Sequence, residues 1–141
     1  MHGARFDIQQ TWRKKMKRLM VMLSMVAVVL FATQAFTAEK DKEAITKNVD
    51  EVVAAINGGK GAASFAPDAY TPYVFIMEAD GLLIVHPTLA EKDLKVEGMP
   101  IYEAIMAATE QGEWVKYDWK GSEKNTYIKR TDNNLVVGSG Y

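Results

Sequence analysis

The stretch from Tyr73 to Pro87 constrains the fold more than any other. Tyr73-Val74-Phe75-Ile76-Met77 is a run of β-branched and aromatic residues, and Leu82 to Val85 is a second apolar run. Ala79-Asp80-Gly81 lies between them. Asp-Gly adopts the positive φ angles of a tight turn at little cost, so the two runs read as a β-hairpin, whose strands must be antiparallel. Neither run alternates between apolar and polar residues, which implies a sheet covered on both faces. The rest of the chain therefore has to supply two covering layers.

One cover is legible upstream. Residues 39–57 place Ala44, Ile45, Val49, Val52, Val53 and Ile56 at three- and four-residue steps, the pattern of an amphipathic helix, and Asn57-Gly58-Gly59 ends it. Residues 58–72 are rich in Gly, Ala and Pro and read as a loop with room for a short helical turn. After the hairpin, residues 88–98 are charged and loop-like. Pro100 to Gln111 then reads as a short helix with Ile101, Ile105, Met106 and Ala108 on one side, closed by Gly112. Three more strands are expected at Glu113–Trp119, Asn125–Arg130 and Leu135–Gly138, separated by Lys120-Gly121-Ser122-Glu123 and Thr131-Asp132-Asn133-Asn134. The sum is an α+β domain with a five-stranded antiparallel sheet, an N-terminal helix and a short helix between strands 2 and 3.

Charge divides the chain before that domain. The total of 17 Lys+Arg against 18 Asp+Glu hides a net of +5 in residues 1–38 and −6 in the remainder. The basic group, Arg5, Arg13, Lys14, Lys15, Lys17 and Arg18, precedes the fourteen residues Leu19 to Ala32, in which only Ser24 is polar. This is the grammar of a secretory signal peptide. As a helix the run rises about 21 Å, short of a hydrocarbon core of roughly 30 Å, so an uncleaved N-terminal membrane anchor is the alternative rather than the first reading. Small-residue preference favours cleavage after Ala35, with Thr33 at the −3 position, over cleavage after Ala38, with Phe36 there. Met16-Lys17-Arg18 makes a conventional short n-region by itself, which opens the alternative of a start at Met16. The folded domain is read as residues 39–141.

An exported domain without Cys has no disulfides and must be held by its core, a habit common in the bacterial periplasm, so periplasm or secretion is the expected location. Its acidic balance leaves no basic stripe for nucleic acid, which is excluded as a partner.

With the element order in place, the local motifs gain meaning. They are Glu78-Ala79-Asp80-Gly81 running into Val85-His86-Pro87, then Gln111-Gly112-Glu113-Trp114-Val115-Lys116-Tyr117-Asp118-Trp119, then Lys124-Asn125-Thr126-Tyr127-Ile128-Lys129, and Leu135-Val136-Val137-Gly138-Ser139-Gly140. In this order they resemble the Cache sensor family, in its single-domain branch, over residues 73–141. The resemblance implies a PAS-like fold that binds a small extracytoplasmic ligand, often an organic acid or amino acid, and that usually serves a chemoreceptor or a histidine kinase of a two-component system. A homodimer is a further partner it allows. Leu135 and Glu113 stand where the family pattern has Trp and Gly, and the N-terminal helix is shorter than usual. Because the sequence stops at Tyr141, the expectation is a domain acting without a transmembrane signalling module of its own.

An anion taken out of water needs donors for its lone pairs, set on apolar walls. The resemblance puts Tyr73, His86, Tyr117, Lys124 and Tyr127 around the sheet as donors, with Phe75, Met77, Trp114 and Trp119 as wall. Each has a structural alternative. His86 is either a strand-end residue bonded to nearby backbone or a ligand contact; the aromatics are core or contact; Lys124 is a solvated turn residue or a donor. Tyr117 and Trp119 share a strand face and Trp114 lies on the other, so the three cannot line one pocket. Asp80 reads as a turn-former. Catalysis is not expected: the domain has one His, no Cys, no nucleophile elbow and no phosphate loop, and no metal or cofactor is implied. The leading expectation is a ligand-binding sensor domain for a small carboxylate or amino-acid-like molecule. The rival is an accessory interaction module of an envelope complex with a closed pocket, supported by Leu135 and Glu113.

Overall fold

A computed structural model describes residues 41–141; the leader read at 1–38 and the first turn of the predicted helix lie outside the described residues. The hairpin forms where its sequence demands. β1 (Val74–Met77) and β2 (Leu83–Val85) pair antiparallel, with Ile76 opposite Val85 and Met77 opposite Leu83. The turn closes through the Gly81 N–H on the Glu78 carbonyl at 3.0 Å, and Gly81 sits at φ 105°, a region that penalises any side chain. Asp80 Oδ1 accepts the Leu82 N–H at 3.2 Å, the turn-forming role read for it.

The described part of α1 runs over 41–57. Its periodic residues Ile45, Val49 and Val52 are fully buried, and with Val53 and Ile56 they pack on Val74, Ile76 and Val85 of one sheet face. The opposite face presents Phe75, Met77 and Leu83 to a second layer. All four residues of β1 are buried, which is why its sequence does not alternate.

The second layer is α2 (Leu94–Met106), and here the structure corrects the sequence reading. The helix starts six residues before Pro100, inside the segment expected to be loop. Asp93 caps it by accepting the Lys95 N–H at 2.8 Å, Gly98 leaves the helical path at φ −179° and ψ 93°, and Pro100 opens the second half. Proline suits a helix start, so the sequence pattern detected only that half. The helix stops at Met106 rather than Gln111 and is capped there by Arg130, Nη2 donating to the Met106 carbonyl at 3.0 Å and Nε to that of Ala108, just past the helix, at 2.9 Å. At the helix start the Leu94 N–H donates to the Gly81 carbonyl, and in the second half the Tyr102 hydroxyl donates to that of Ala79, both at 2.8 Å.

β3 (Glu113–Trp119), β4 (Ser122–Arg130) and β5 (Val136–Gly140) complete the sheet. β4 begins three residues before the predicted Asn125, because Lys120 and Gly121 alone make the turn, both at positive φ (52° and 83°), with Trp119 opposite Ser122. β5 starts and ends later than predicted and pairs with β4 on one side and β1 on the other. The strand order is β2-β1-β5-β4-β3, so the last strand in sequence is the middle of the sheet. The result is the expected α+β, PAS-like arrangement of a five-stranded antiparallel sheet and two helices.

Candidate ligand-binding site

Strand parity decides what each side chain faces, because successive residues point to opposite sides. On β3 the series Val115, Tyr117, Trp119 packs toward α2; on β4 Ile128 marks the same series as Lys124 and Thr126; on β5 Val136 marks that of Gly138 and Gly140. Two glycines on the α2 side of the central strand let neighbouring groups close directly onto its backbone. A Cβ at Gly138 would overlap the Phe75 ring, and one at Gly140 would overlap the Asn125 carbonyl and come 2.5 Å from Thr126 Oγ1. Between them Ser139, fully buried, donates to the Tyr73 carbonyl at 2.8 Å and fixes the head of β1.

A cavity of about 220 Å³ lies between the sheet and α2, with Gly140 in its wall. Its apolar wall is Phe75, Leu83, Leu89, Leu94, Ile101 and Ile105. Its polar wall is Tyr73, His86, Tyr117, Lys124 and Thr126. No Asp or Glu is part of the lining, and Lys124 forms no ion pair among the described residues.

Hydrogen bonds orient this polar wall. Thr126 Oγ1 donates to the Tyr117 hydroxyl at 3.1 Å, so the Tyr117 oxygen is occupied as an acceptor and its own proton is free to donate elsewhere. His86 Nδ1 accepts the N–H groups of Thr88 and Leu89, each at 3.1 Å, which assigns the proton of the neutral ring to Nε2. The His86 ring meets Tyr73 edge-on at 5.2 Å between centroids. Burial pushes the Tyr73 phenol above its usual value, helped by neighbouring Tyr117, and burial likewise raises Tyr117 against the opposing effect of the Thr126 hydrogen bond. Burial holds the His86 imidazole below its usual value. All three therefore stay neutral donors at pH 7 beside one cation.

Of the residues read from the sequence, Tyr73, Phe75, His86, Tyr117 and Lys124 meet in this cavity, together with Trp119. Trp114 and Tyr127 do not. They form a cross-strand pair on the α1 side, rings 5.5 Å apart, with Lys42 Nζ 5.2 Å from the Trp114 ring and the Tyr127 hydroxyl donating to the Gln111 carbonyl at 3.3 Å. The parity argument that set Trp114 apart applies equally to Tyr127, one residue past Thr126. Met77 is buried in the α2-side core without lining the cavity. Glu113 and Leu135, the departures from the family pattern, are likewise absent from its wall. The sequence reading missed Thr126, which parity with Lys124 would have found, and Leu94, which lay in the presumed loop.

Among the described residues no helix is long and apolar enough to cross a membrane. No curated protein matches the chain. The family described as Single Cache domain 2 matches residues 8–135, from well before the predicted domain start at 39 to just short of β5. Fold, cavity and match agree: the chain belongs to the single Cache domain 2 family, whose members are extracytoplasmic domains that sense small molecules.

Proposed function

We propose that the cavity binds a small organic acid as its carboxylate. The observation that carries this is the lining itself. Lys124, the Nε2–H of His86 and the hydroxyls of Tyr73 and Tyr117 are donors, and no carboxylate shares the wall with them. An ionised carboxylate accepts only, so donors satisfy its oxygens without competition. An amino acid fits less well, because its ammonium group would find no carboxylate in this lining. At about 220 Å³ the space is below the roughly 300–1,000 Å³ of drug-sized ligand sites and suits a molecule of few heavy atoms. An open space of this kind serves a binding protein, whereas an accessory interaction module has no use for it.

The reading extends to the cell. Residues 1–38 act as a signal peptide that delivers the domain to the periplasm or the exterior, and the bound state is read by a membrane receptor or histidine kinase, with reversible binding and no catalysis. The chain supports this through its basic, apolar and small-residue leader and through the family, whose domains feed receptors and kinases. Isothermal calorimetry against acetate, propionate, lactate and pyruvate, with the matching amides and with alanine as comparisons, tests the ligand class. Binding of one or more acids and none of the amides is expected; a flat response to every acid overturns the reading.

A further inference from the structure

Between β2 and α2 the chain crosses the cavity as a strap, and the two ends of that strap are held differently. The far end is zipped to β2: the Glu91 N–H donates to the Leu83 carbonyl at 2.8 Å, and the Leu83 N–H donates to that of Lys92 at 2.9 Å. The near end has no backbone bond to β2; within the strap the Leu89 carbonyl accepts the Lys92 N–H at 3.1 Å. Pro87 has no N–H, and the N–H groups of Thr88 and Leu89 both converge on one atom, His86 Nδ1, at 3.1 Å. Thr88 and Leu89 are part of the cavity wall, so this one nitrogen holds part of the enclosure in place.

An Nδ1 that accepts two backbone hydrogen bonds carries no proton, and adding one converts the acceptor into a donor facing two N–H donors, with the Thr88 hydroxyl at 3.5 Å the one neighbour able to turn and accept. The groups around the ring do not favour the charged form. Tyr73 and Phe75 pack against it with centroids at 5.2 and 6.4 Å, Tyr117 and Lys124 share its cavity, and the wall holds no Asp or Glu. Pro87, Thr88 and Leu89 from the strap bring no charge.

We propose that His86 is a proton-sensitive clasp, a positioning residue that in its neutral form holds Pro87 to Leu89 over the cavity and on protonation releases them, so that ligand affinity falls as the medium turns acid. The consequence for affinity rests on the carboxylate reading; the clasp itself does not. The direction is informative. An imidazolium acting only through its charge would add a second cation beside Lys124 and tighten an anion as pH falls, whereas a clasp that opens weakens it. Burial holds the imidazole below its usual value, so release begins below about pH 6.5.

Two variants separate the roles of the ring. His86→Asn places an amide oxygen, which does not titrate, where Nδ1 stands, and Asn commonly accepts backbone N–H groups two residues on. His86→Leu removes the acceptor. In the ligand-free protein, nitrogen NMR of the imidazole is expected to show Nδ1 unprotonated at about pH 7.5. Amide exchange at Thr88 and Leu89, corrected for its intrinsic pH dependence, is expected to accelerate roughly tenfold on acidification to about pH 5.5 in the wild type. It should stay slow throughout in His86→Asn and fast throughout in His86→Leu. With acetate as the probe, calorimetry is expected to show affinity falling about five- to tenfold over the same range in the wild type, and no pH dependence in His86→Asn at whatever level that variant binds. Nδ1 protonated at neutral pH, protection unchanged through the titration, an Asn variant that titrates like the wild type, or affinity that rises with acid each overturns the clasp. Silence toward acetate and every other acid overturns the carboxylate reading instead, and the exchange series still decides the clasp.

Discussion

Thr126 donates its hydroxyl to that of Tyr117 at 3.1 Å, diagonally across the β3–β4 pair, and both groups line the cavity. The Tyr117 proton is thereby turned outward to a guest. Tyr117→Phe is expected to lower affinity for the cognate acid about tenfold, the equivalent of one hydrogen bond, and Thr126→Val about threefold, since the phenol remains but is no longer oriented. Calorimetry on both variants checks the order; a larger loss for Thr126→Val than for Tyr117→Phe would contradict the assignment.

Lys124 is the one formal cation in the cavity wall. Lys124→Gln keeps a donor of similar reach and deletes the charge. A charge-assisted contact is worth about 1.5–3 kcal/mol, so a loss of roughly ten- to a hundredfold in affinity is expected. The salt dependence of binding should flatten at the same time. Equal affinity of the variant across salt concentrations and against the wild type would remove Lys124 from the site.

The two tryptophans of the described domain stand on opposite faces of the sheet, Trp119 at the cavity and Trp114 beside Tyr127 under Lys42. A bound acid should alter the emission of Trp119 alone. The expected outcome is that Trp119→Phe abolishes the ligand-induced fluorescence change while Trp114→Phe keeps it, with unchanged affinity.

Stability should decline at both ends of the pH range. His86 is held below its usual value by burial, so the unfolded chain takes up its proton first; that contribution is complete above about pH 6.5 and is lost as pH falls. Tyr73, Tyr117 and Tyr127 are held above their usual value, chiefly by burial, so the unfolded chain loses those protons first and stability falls as pH rises past about 10. Denaturation midpoints across pH, with phenolate absorbance for the tyrosines, check both directions. A midpoint that climbs on going from neutral to acid would contradict the His86 assignment.

At Gly140 a Cβ would overlap the Asn125 carbonyl and come 2.5 Å from Thr126 Oγ1. Gly140→Ala is therefore expected to lower stability by about 1–3 kcal/mol, as over-packing does, and to weaken acid binding by displacing Thr126 from Tyr117. Thermal unfolding and calorimetry on this variant read the two effects separately.

Most of this architecture was legible in the residues. The Asp80-Gly81 turn and the unbroken apolar runs beside it specified an antiparallel, doubly covered sheet, and the period of Ile45, Val49 and Val52 specified one cover. The other cover was legible only from Pro100 onward, and its first half was missed. Leu94 to Gly98 is half a helix interrupted by a glycine and followed by proline, too short for its periodicity to stand out against charged neighbours. The site was half legible for a related reason. Residue type picked out aromatic donors, but membership depends on which of two faces each residue occupies, and the neighbours Thr126 and Tyr127 fall on opposite ones. His86, read as either a strand-end residue bonded to nearby backbone or a ligand contact, is both: its Nδ1 accepts the Thr88 and Leu89 N–H groups and its ring lines the cavity.

Arg130, introduced as a cap on α2, has one more consequence. Leu94 ties the first half of α2 to the β1–β2 turn, and beyond Gly98 the second half is tied twice, by Tyr102 to that same turn and by the Arg130 guanidinium at its end. Neither half can leave the sheet without breaking a hydrogen bond of its own. The helix wall of the cavity is therefore fastened to the β1–β2 turn and to β4 of the sheet that carries its polar wall.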